Sequence, residues 1–379
     1  MEITDVNQYD LRYDLDESWS PAWKPGYEQT VHEVTVFELV TDAGISGVCS
    51  TSGFAARMDY RELAELFLVG EDPRRIDRLR ERLAPLNLWG PRPWHFEVAL
   101  WDIVGKDAGK PVYELLGGDG DPVPAYASTG ERRDAERRLA YVEDRVDEGF
   151  EAVKLRMHAD DPAADLDVAR RVREAFPDLT LMVDANMGWS VPLAERRQWS
   201  FREALAVARE LEELGGVAWL EEPLDRHDYR GLARLRGKTD VPIAGGEFNN
   251  GLYQFREFVR QESLDVLQPD AVLATGIENA THVAGMATTH GLEFAPHTWN
   301  DGLGFAANLQ VLAATPARWC EYPLEPPGWV PEARDFLLED PIRADDGSVK
   351  PPDGPGLGVE LDWELVREMD QSSGGPDDR

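Results

Sequence analysis

The sequence predicts an α/β protein built on a parallel barrel, with a separate strand-and-helix region ahead of it. Three observations carry this. From about Pro122 onward, short apolar segments alternate with amphipathic helical stretches. Each unit takes roughly the 25 to 40 residues of a βα repeat. Eight such segments can be counted, each finishing on polar residues. At 379 residues the chain has room for two domains, or for one barrel carrying an extra module.

In chain order, VHEVTVFELV (31–40) alternates apolar and polar residues, the pattern of a half-buried strand, and AGISG supplies a turn before a second strand. A helical stretch follows. In WHFEVALWDIVGKDAG the residues Phe96, Leu100, Ile103 and Val104 fall on one face, and Gly117 and Gly118 close the region. The eight barrel segments are PAYAST, AVKLR, LMVD, VAWLEE, PIAGGE, DVLQPD, LEFAPH and RWCEY, with helices between them such as 202–214. Residues 371–379 are expected to be a disordered tail.

Composition narrows the function classes. Against 39 Lys and Arg stand 72 Asp and Glu, a net charge of −33, which repels nucleic acid. With 42% hydrophobic residues and 12 Trp the chain is a folded protein rather than an acidic disordered one. Its carboxylate-covered surface suits concentrated salt, where a Debye length of about 3 Å at 1 M screens self-repulsion, so a salt-loving source is expected. No run of eighteen apolar residues occurs, and MEITDVNQYD lacks the order of a signal peptide. A cytoplasmic location is therefore expected. Cys49 and Cys320 are too few for a disulfide framework or a thiolate metal cage, though one bridge stays open.

In parallel barrels, residues at strand C-termini meet at one mouth. The polar residues there are Lys154 and Arg156, Asp184 and Asn186, Glu221 and Glu222, Glu247, Asp270, His297 and Glu321. An isolated carboxylate at such a place more often caps the next helix or faces water. Asp184, Glu221 and Glu247 end three successive strands, however, and suit a hard cation that prefers oxygen ligands, Mg²⁺ above all. Only one of Glu221 and Glu222 is expected to point inward, and Glu221 is assigned the metal. His297 and Asp270 end neighbouring strands, so a carboxylate can fix the imidazole tautomer and leave one ring nitrogen as a base. His95, His282 and His290 are read as structural, bonded to backbone carbonyls. His32 and His158 are intermediate: His32 could reach the site from the first region, but a strand-surface role is favoured.

Over nearly its full length the chain resembles the mandelate racemase group of the enolase superfamily. The likeness rests on WDIVGKDAGKPVYELLGG and on the ordered motifs VDANMGW, WLEEPL, GGE, QPD and APHTW. It implies a modified TIM barrel, (β/α)7β, over residues 122–324. An α+β capping domain would be formed by residues 1–121 and completed by the C-terminal segment 325–379. It also implies metal ligands at Asp184, Glu221 and Glu247, a His297–Asp270 dyad, and an acidic group, Glu321, near the substrate oxygen. There Glu321, if protonated, would donate a hydrogen bond to developing charge. Where the family often has Lys-x-Lys, this chain has Lys154, Leu155 and Arg156. Arginine is a poor base, so both cations are expected to neutralise the substrate carboxylate, with a salt bridge to a metal carboxylate an equal prospect for Arg156. Specificity is expected from 19–27, with Trp19 and Trp23 walling the pocket or packing cap on barrel, and from the turn 50–54. The reaction implied is Mg²⁺-dependent removal of the proton α to a carboxylate, leading to dehydration of an aldonate-type acid sugar. A 2-hydroxy-acid racemase or epimerase is the alternative, and a non-catalytic metal-binding barrel a third. The partner is a small carboxylic acid, and a homo-oligomer is expected.

Overall fold

The computed structural model describes residues 1–53, 56, 60–88, 92–157, 162–189 and 197–372. Its first sheet is antiparallel, in the order β1 (Ile3–Trp19), β2 (Gln29–Thr41), β3 (Ser46–Ser52). β1 escapes a reading by alternation. Register shifts at Ile3/Asp5 and Asp14/Trp19 break its period, and only Ile3, Val6, Leu11 and Trp19 are its buried apolar residues. Helix Trp94–Ala108 packs on β3, and the approach requires Gly47: a Cβ there would lie 2.2 Å from the Ala99 carbonyl oxygen. That helix is buried around most of its circumference, not on one face, because the sheet covers one side and the barrel the other.

The barrel strands are β4 (Val123–Ser128), β5 (Ala152–Arg156), β6 (Thr180–Asp184), β7 (Val217–Glu221), β8 (Ile243–Gly245), β9 (Val266–Leu267), β10 (Glu293–Phe294) and β11 (Cys320–Pro323). Each overlaps one of the eight segments anticipated from sequence. Parallel ladders run from β10 back to β4, and β11 pairs with β4 on its other edge. A helix follows each strand from β4 to β10 and β11 ends the series, so the architecture is (β/α)7β. Inside, Tyr126, Ala152, Met182, Trp219, Ala244, Val266 and Ala295 form an apolar plug. Because side chains alternate along a strand, the next inward positions carry Ser128, Lys154, Asp184, Glu221 and Gln268, a polar layer resting on that plug.

After β11 the chain crosses the molecule. The hairpin β12 (Ala344–Asp345) and β13 (Ser348–Val349) pairs antiparallel with the start of β4. Helix Trp363–Met369 then returns to the first sheet, where Trp363 meets Tyr9 with ring centres 5.7 Å apart and Gln371 N–H donates to the Asp10 carbonyl at 2.9 Å. Asp102 ties the three parts together by accepting from Val48 N–H, Leu357 N–H and Lys106. Both cysteines are buried and free. Among the described residues no helix is long and apolar enough to cross a membrane. His158, Phe54 and residues 373–379 of the expected tail lie outside the described residues.

Candidate active site

His297 follows β10, and its Nδ1 lies 2.7 Å from Asp270 Oδ2. Asp270 is fixed on both oxygens. Oδ2 also accepts from Asn300 Nδ2 at 2.7 Å, while Oδ1 accepts from the N–H groups of Val272 (2.6 Å) and Leu273 (2.9 Å), which begin the helical turn after β9. His297 Nε2 is therefore the free-edge nitrogen, facing Glu247 Oε2 at 3.2 Å on the cavity floor. Burial alone would lower the imidazole pKa. Glu247, Glu321 and Asp270 outweigh it and raise the pKa to about 9.

The three expected metal carboxylates reach the same floor, but each is engaged by protein donors. Asp184 is ion-paired with Arg156. Glu221 accepts from Lys154 Nζ (3.0 Å), Trp219 Nε1 (3.2 Å) and Gln268 Nε2 (3.1 Å). Glu247 accepts from Trp189 Nε1 at 2.8 Å. Among the described residues, no three His, Cys, Asp or Glu side chains are gathered as a finished metal cage. Glu222 is also buried, contrary to the expectation that only one of the adjacent pair turns inward. Its left-handed backbone (φ 46) swings the carboxylate beside Gly188, where a Cβ would lie 2.3 Å from it. Both its oxygens are buried without a hydrogen-bond partner.

A divalent cation fits this donor set. Burial first, and then the proximity of Glu247, Asp184 and Glu221, pushes the Glu222 carboxyl well above the usual range. Burial likewise raises Glu221 to about 7, and Glu247 is raised as well. Four crowded carboxylates, one with two unsatisfied oxygens, hold more negative charge than Lys154 and Arg156 neutralise, and a hard cation relieves that excess.

Two expected roles change, and Trp19 takes the packing role of the two open to it. Lys154 is fully enclosed, bridging Glu321 (2.6 Å), Glu221 (3.0 Å) and Asp184 (3.7 Å), so it neutralises the protein's own carboxylates instead of meeting a substrate. Glu321 is enclosed too. Despite its burial, Lys154, His297 and Arg156 hold it well below the usual carboxylate range, and it accepts from Ser128 Oγ and Thr298 N–H. It lies beneath the floor, bonded to Lys154, Ser128 and Thr298, and does not line the cavity. Trp19, 1% exposed, packs behind the wall against Trp23, Trp299 and Trp329 and does not line the cavity.

Other expected residues do reach the cavity. Arg156 pairs with Asp184, donates from Nε to the Thr129 carbonyl (2.6 Å) and from Nη1 to Asn186 Oδ1 (3.1 Å), and lies 5.2 and 5.0 Å from the rings of Trp23 and Trp299, which themselves meet edge to face at 5.3 Å. Asn186 and Trp23 line the same space. So do residues that sequence reasoning missed or placed elsewhere. His32 lines it from β2 with Nε2 bonded to the Gly328 carbonyl at 2.8 Å, and Trp189, Phe248, Trp299 and Asn300 follow closely after strand ends. The strand-end motifs already contained Trp189 and Trp299, which was the available signal. Asp301 accepts from Ser50 Oγ at 2.6 Å, pinning the first sheet to the barrel rim. His95 and His290 are structural, as expected, bonded to the carbonyls of Arg92 and Met286.

Comparison with known proteins agrees with this fold. Residues 27–117 match the family model "Mandelate racemase / muconate lactonizing enzyme, N-terminal domain", and residues 137–365 match "Enolase C-terminal domain-like". The chain is 32% identical to D-galactarolactone cycloisomerase of Agrobacterium fabrum, covering 97% of this chain and 99% of that one. It is 31% identical to arabinonate dehydratase of Saccharolobus solfataricus, over 95% and 96%. Among solved structures, L-talarate dehydratase from Polaromonas sp. JS666, complexed with Mg and L-glucarate, superposes with a TM-score of 0.81 at 27% identity, over 98% and 97% of the two chains. The chain belongs to the mandelate racemase/muconate lactonizing enzyme family and is an enzyme of the enolase superfamily.

Proposed function

We propose that this enzyme dehydrates an aldonate-type acid sugar to a 2-keto-3-deoxy acid, using His297 as the single group that carries protons. The observation supporting this reading is the asymmetry of the floor. One face presents an oriented imidazole, His297 on Asp270, and the other presents Arg156, held by Asp184, Asn186, Thr129 and two tryptophan rings. Racemisation needs a proton carrier on each face. Arg156, kept cationic by Asp184 and Glu321 against the effect of its burial, is no such carrier. Dehydration needs only one, since the imidazolium formed on removing the C2 proton can return a proton to the departing C3 hydroxyl.

The residues proposed to hold one Mg²⁺ are Asp184, Glu221 and Glu247, with Glu222 beside them. Bound there, the ion would supply positive charge to the substrate carboxylate as electron density moves onto its oxygens. Asn186 and Arg156 would orient that carboxylate, Asp270 would hold the His297 tautomer, and the surrounding tryptophans would exclude water. One relative is named arabinonate dehydratase, and a dehydratase neighbour carries Mg and L-glucarate. The test is incubation with Mg²⁺ and a panel of aldonates, assaying 2-keto acid and, in D₂O, exchange at C2. Exchange from both C2 configurations without 2-keto product would favour a racemase or epimerase instead.

A further inference from the structure

The cavity above the floor holds about 530 Å³, within the range of about 300–1,000 Å³ that encloses drug-sized ligands. An open-chain acid of five or six carbons would fill only part of it. Its wall leaves the floor in ring-sized steps. Arg156 lies 5.0 Å from the Trp299 ring, Trp299 lies 5.0 Å from Trp329, and Trp329 lies 5.0 Å from His32 on β2. Trp299, Trp329 and His32 are each more than nine-tenths buried and meet at 51° and 76°, so the wall is rigid and shows the cavity narrow apolar strips, which match a rigid ring better than a flexible hydroxylated chain. Gln29, Glu33 and Asn300 also line the space and make the wall part polar, which an aryl or alkyl tail would desolvate without return. A sugar ring offers both surfaces, apolar C–H groups for that wall and hydroxyls around its edge.

We infer that the preferred substrate is an acid sugar carrying a second, glycosyl ring beyond the reacting carbons. The inference rests on the dehydratase reading. The C2–H bond breaks with its proton passing to His297 Nε2, and the C3–O bond breaks with its electron pair, the hydroxyl leaving as water with a proton from His297. The enol becomes the 2-keto-3-deoxy acid, and the glycosidic bond is untouched.

The test uses the full chain with Mg²⁺ and compares gluconate, galactonate and arabinonate with the 4-O-glycosylated gluconates cellobionate, maltobionate and lactobionate. At least one glycosylated acid should exceed gluconate in kcat/KM by tenfold or more. Trp329→Ala should lower that ratio at least tenfold, and Trp329→Phe, which keeps a ring, should restore much of it. Equal or better kcat/KM on any unsubstituted acid than on all the glycosylated ones overturns the inference, as does a ratio unmoved in a folded Trp329→Ala protein. If no acid gives 2-keto product or C2 exchange, the dehydratase reading fails. Tryptophan-fluorescence titration then judges the wall alone: cellobionate binding more tightly than gluconate supports the stacking role, and no preference overturns it.

Discussion

Asp270→Asn changes one atom and removes one charge, and the structure dictates how the site must respond. Oδ1 is held by two backbone N–H groups, Val272 at 2.6 Å and Leu273 at 2.9 Å, which cannot reverse polarity. The asparagine carbonyl therefore takes that side, and its NH₂ faces His297 Nδ1 and the Asn300 amide. His297 can meet a donor only by accepting on Nδ1, which moves the ring proton to Nε2, the nitrogen that must receive the substrate proton. The charge-assisted bond lost is worth about 1.5–3 kcal/mol. That lowers the imidazole pKa from about 9 by roughly one to two. Loss of a positioned acid–base group costs about 10²- to 10⁴-fold in rate, so kcat should fall by that amount while KM stays within a few-fold, because the side chains proposed to hold the substrate do not move. The assay is 2-keto acid formation and C2 deuterium exchange across pH, with a melting curve to confirm folding. A folded variant whose kcat lies within threefold of the parent, with an unshifted pH profile, would refute the dyad.

Three further outcomes follow from the same charges. Glu222→Gln removes a buried carboxylate that has no donor, so the chelator-treated variant should be more stable than the parent by about 1–3 kcal/mol and should gain less from added Mg²⁺ in scanning calorimetry; an equal gain in both proteins would exclude Glu222 from the metal's surroundings. Folding raises His297 to about 9 and Glu221 to about 7, so both bind protons more tightly when folded. The His297 contribution is complete below about pH 6.5 and is lost as pH rises through 9, and that of Glu221 is lost between about 4.5 and 7, each by up to about 3 kcal/mol; a metal-free urea midpoint higher at pH 9 than at pH 5 would contradict this. With a net charge of −33, raising KCl from 0.1 M to 1 M shortens the Debye length from about 10 Å to about 3 Å and should raise the melting temperature by several degrees, whereas a flat response would mean that self-repulsion is not limiting.

The barrel was legible because its physics is local and periodic. An inward-pointing residue at the end of a parallel strand has one place to go, so Asp184, Glu221, Asp270 and His297 could be located from their strands alone. The first sheet was half legible. β2 alternates cleanly, while β1 is polar, bulged and recognised only by its pairing. Partnerships on the floor were not legible, because the reach of Lys154 to Glu321 and Glu221 depends on which side chains stand on neighbouring strands at the same height. The same applies to Glu321, whose carboxyl pKa burial would raise and which Lys154, His297 and Arg156 hold low instead. Glu222 defeated the alternation rule because a left-handed backbone carries it inward just after β7 ends.

The pocket wall was least legible, and the reason bears on function. His32 reaches the site from β2 and Trp23 from the connection between β1 and β2, in a sheet that docks through Ser50 on Asp301 and Asp102 on Val48 and Leu357. Trp23 then stacks on Arg156, the cation held by Asp184. Closing the first sheet over the barrel and fixing the cation opposite His297 are thus one packing event, joined through a single guanidinium. A change at Trp23 should therefore alter how the reacting acid is oriented as well as which acid enters, whereas a change at Trp329, one ring further out, should act on selection alone.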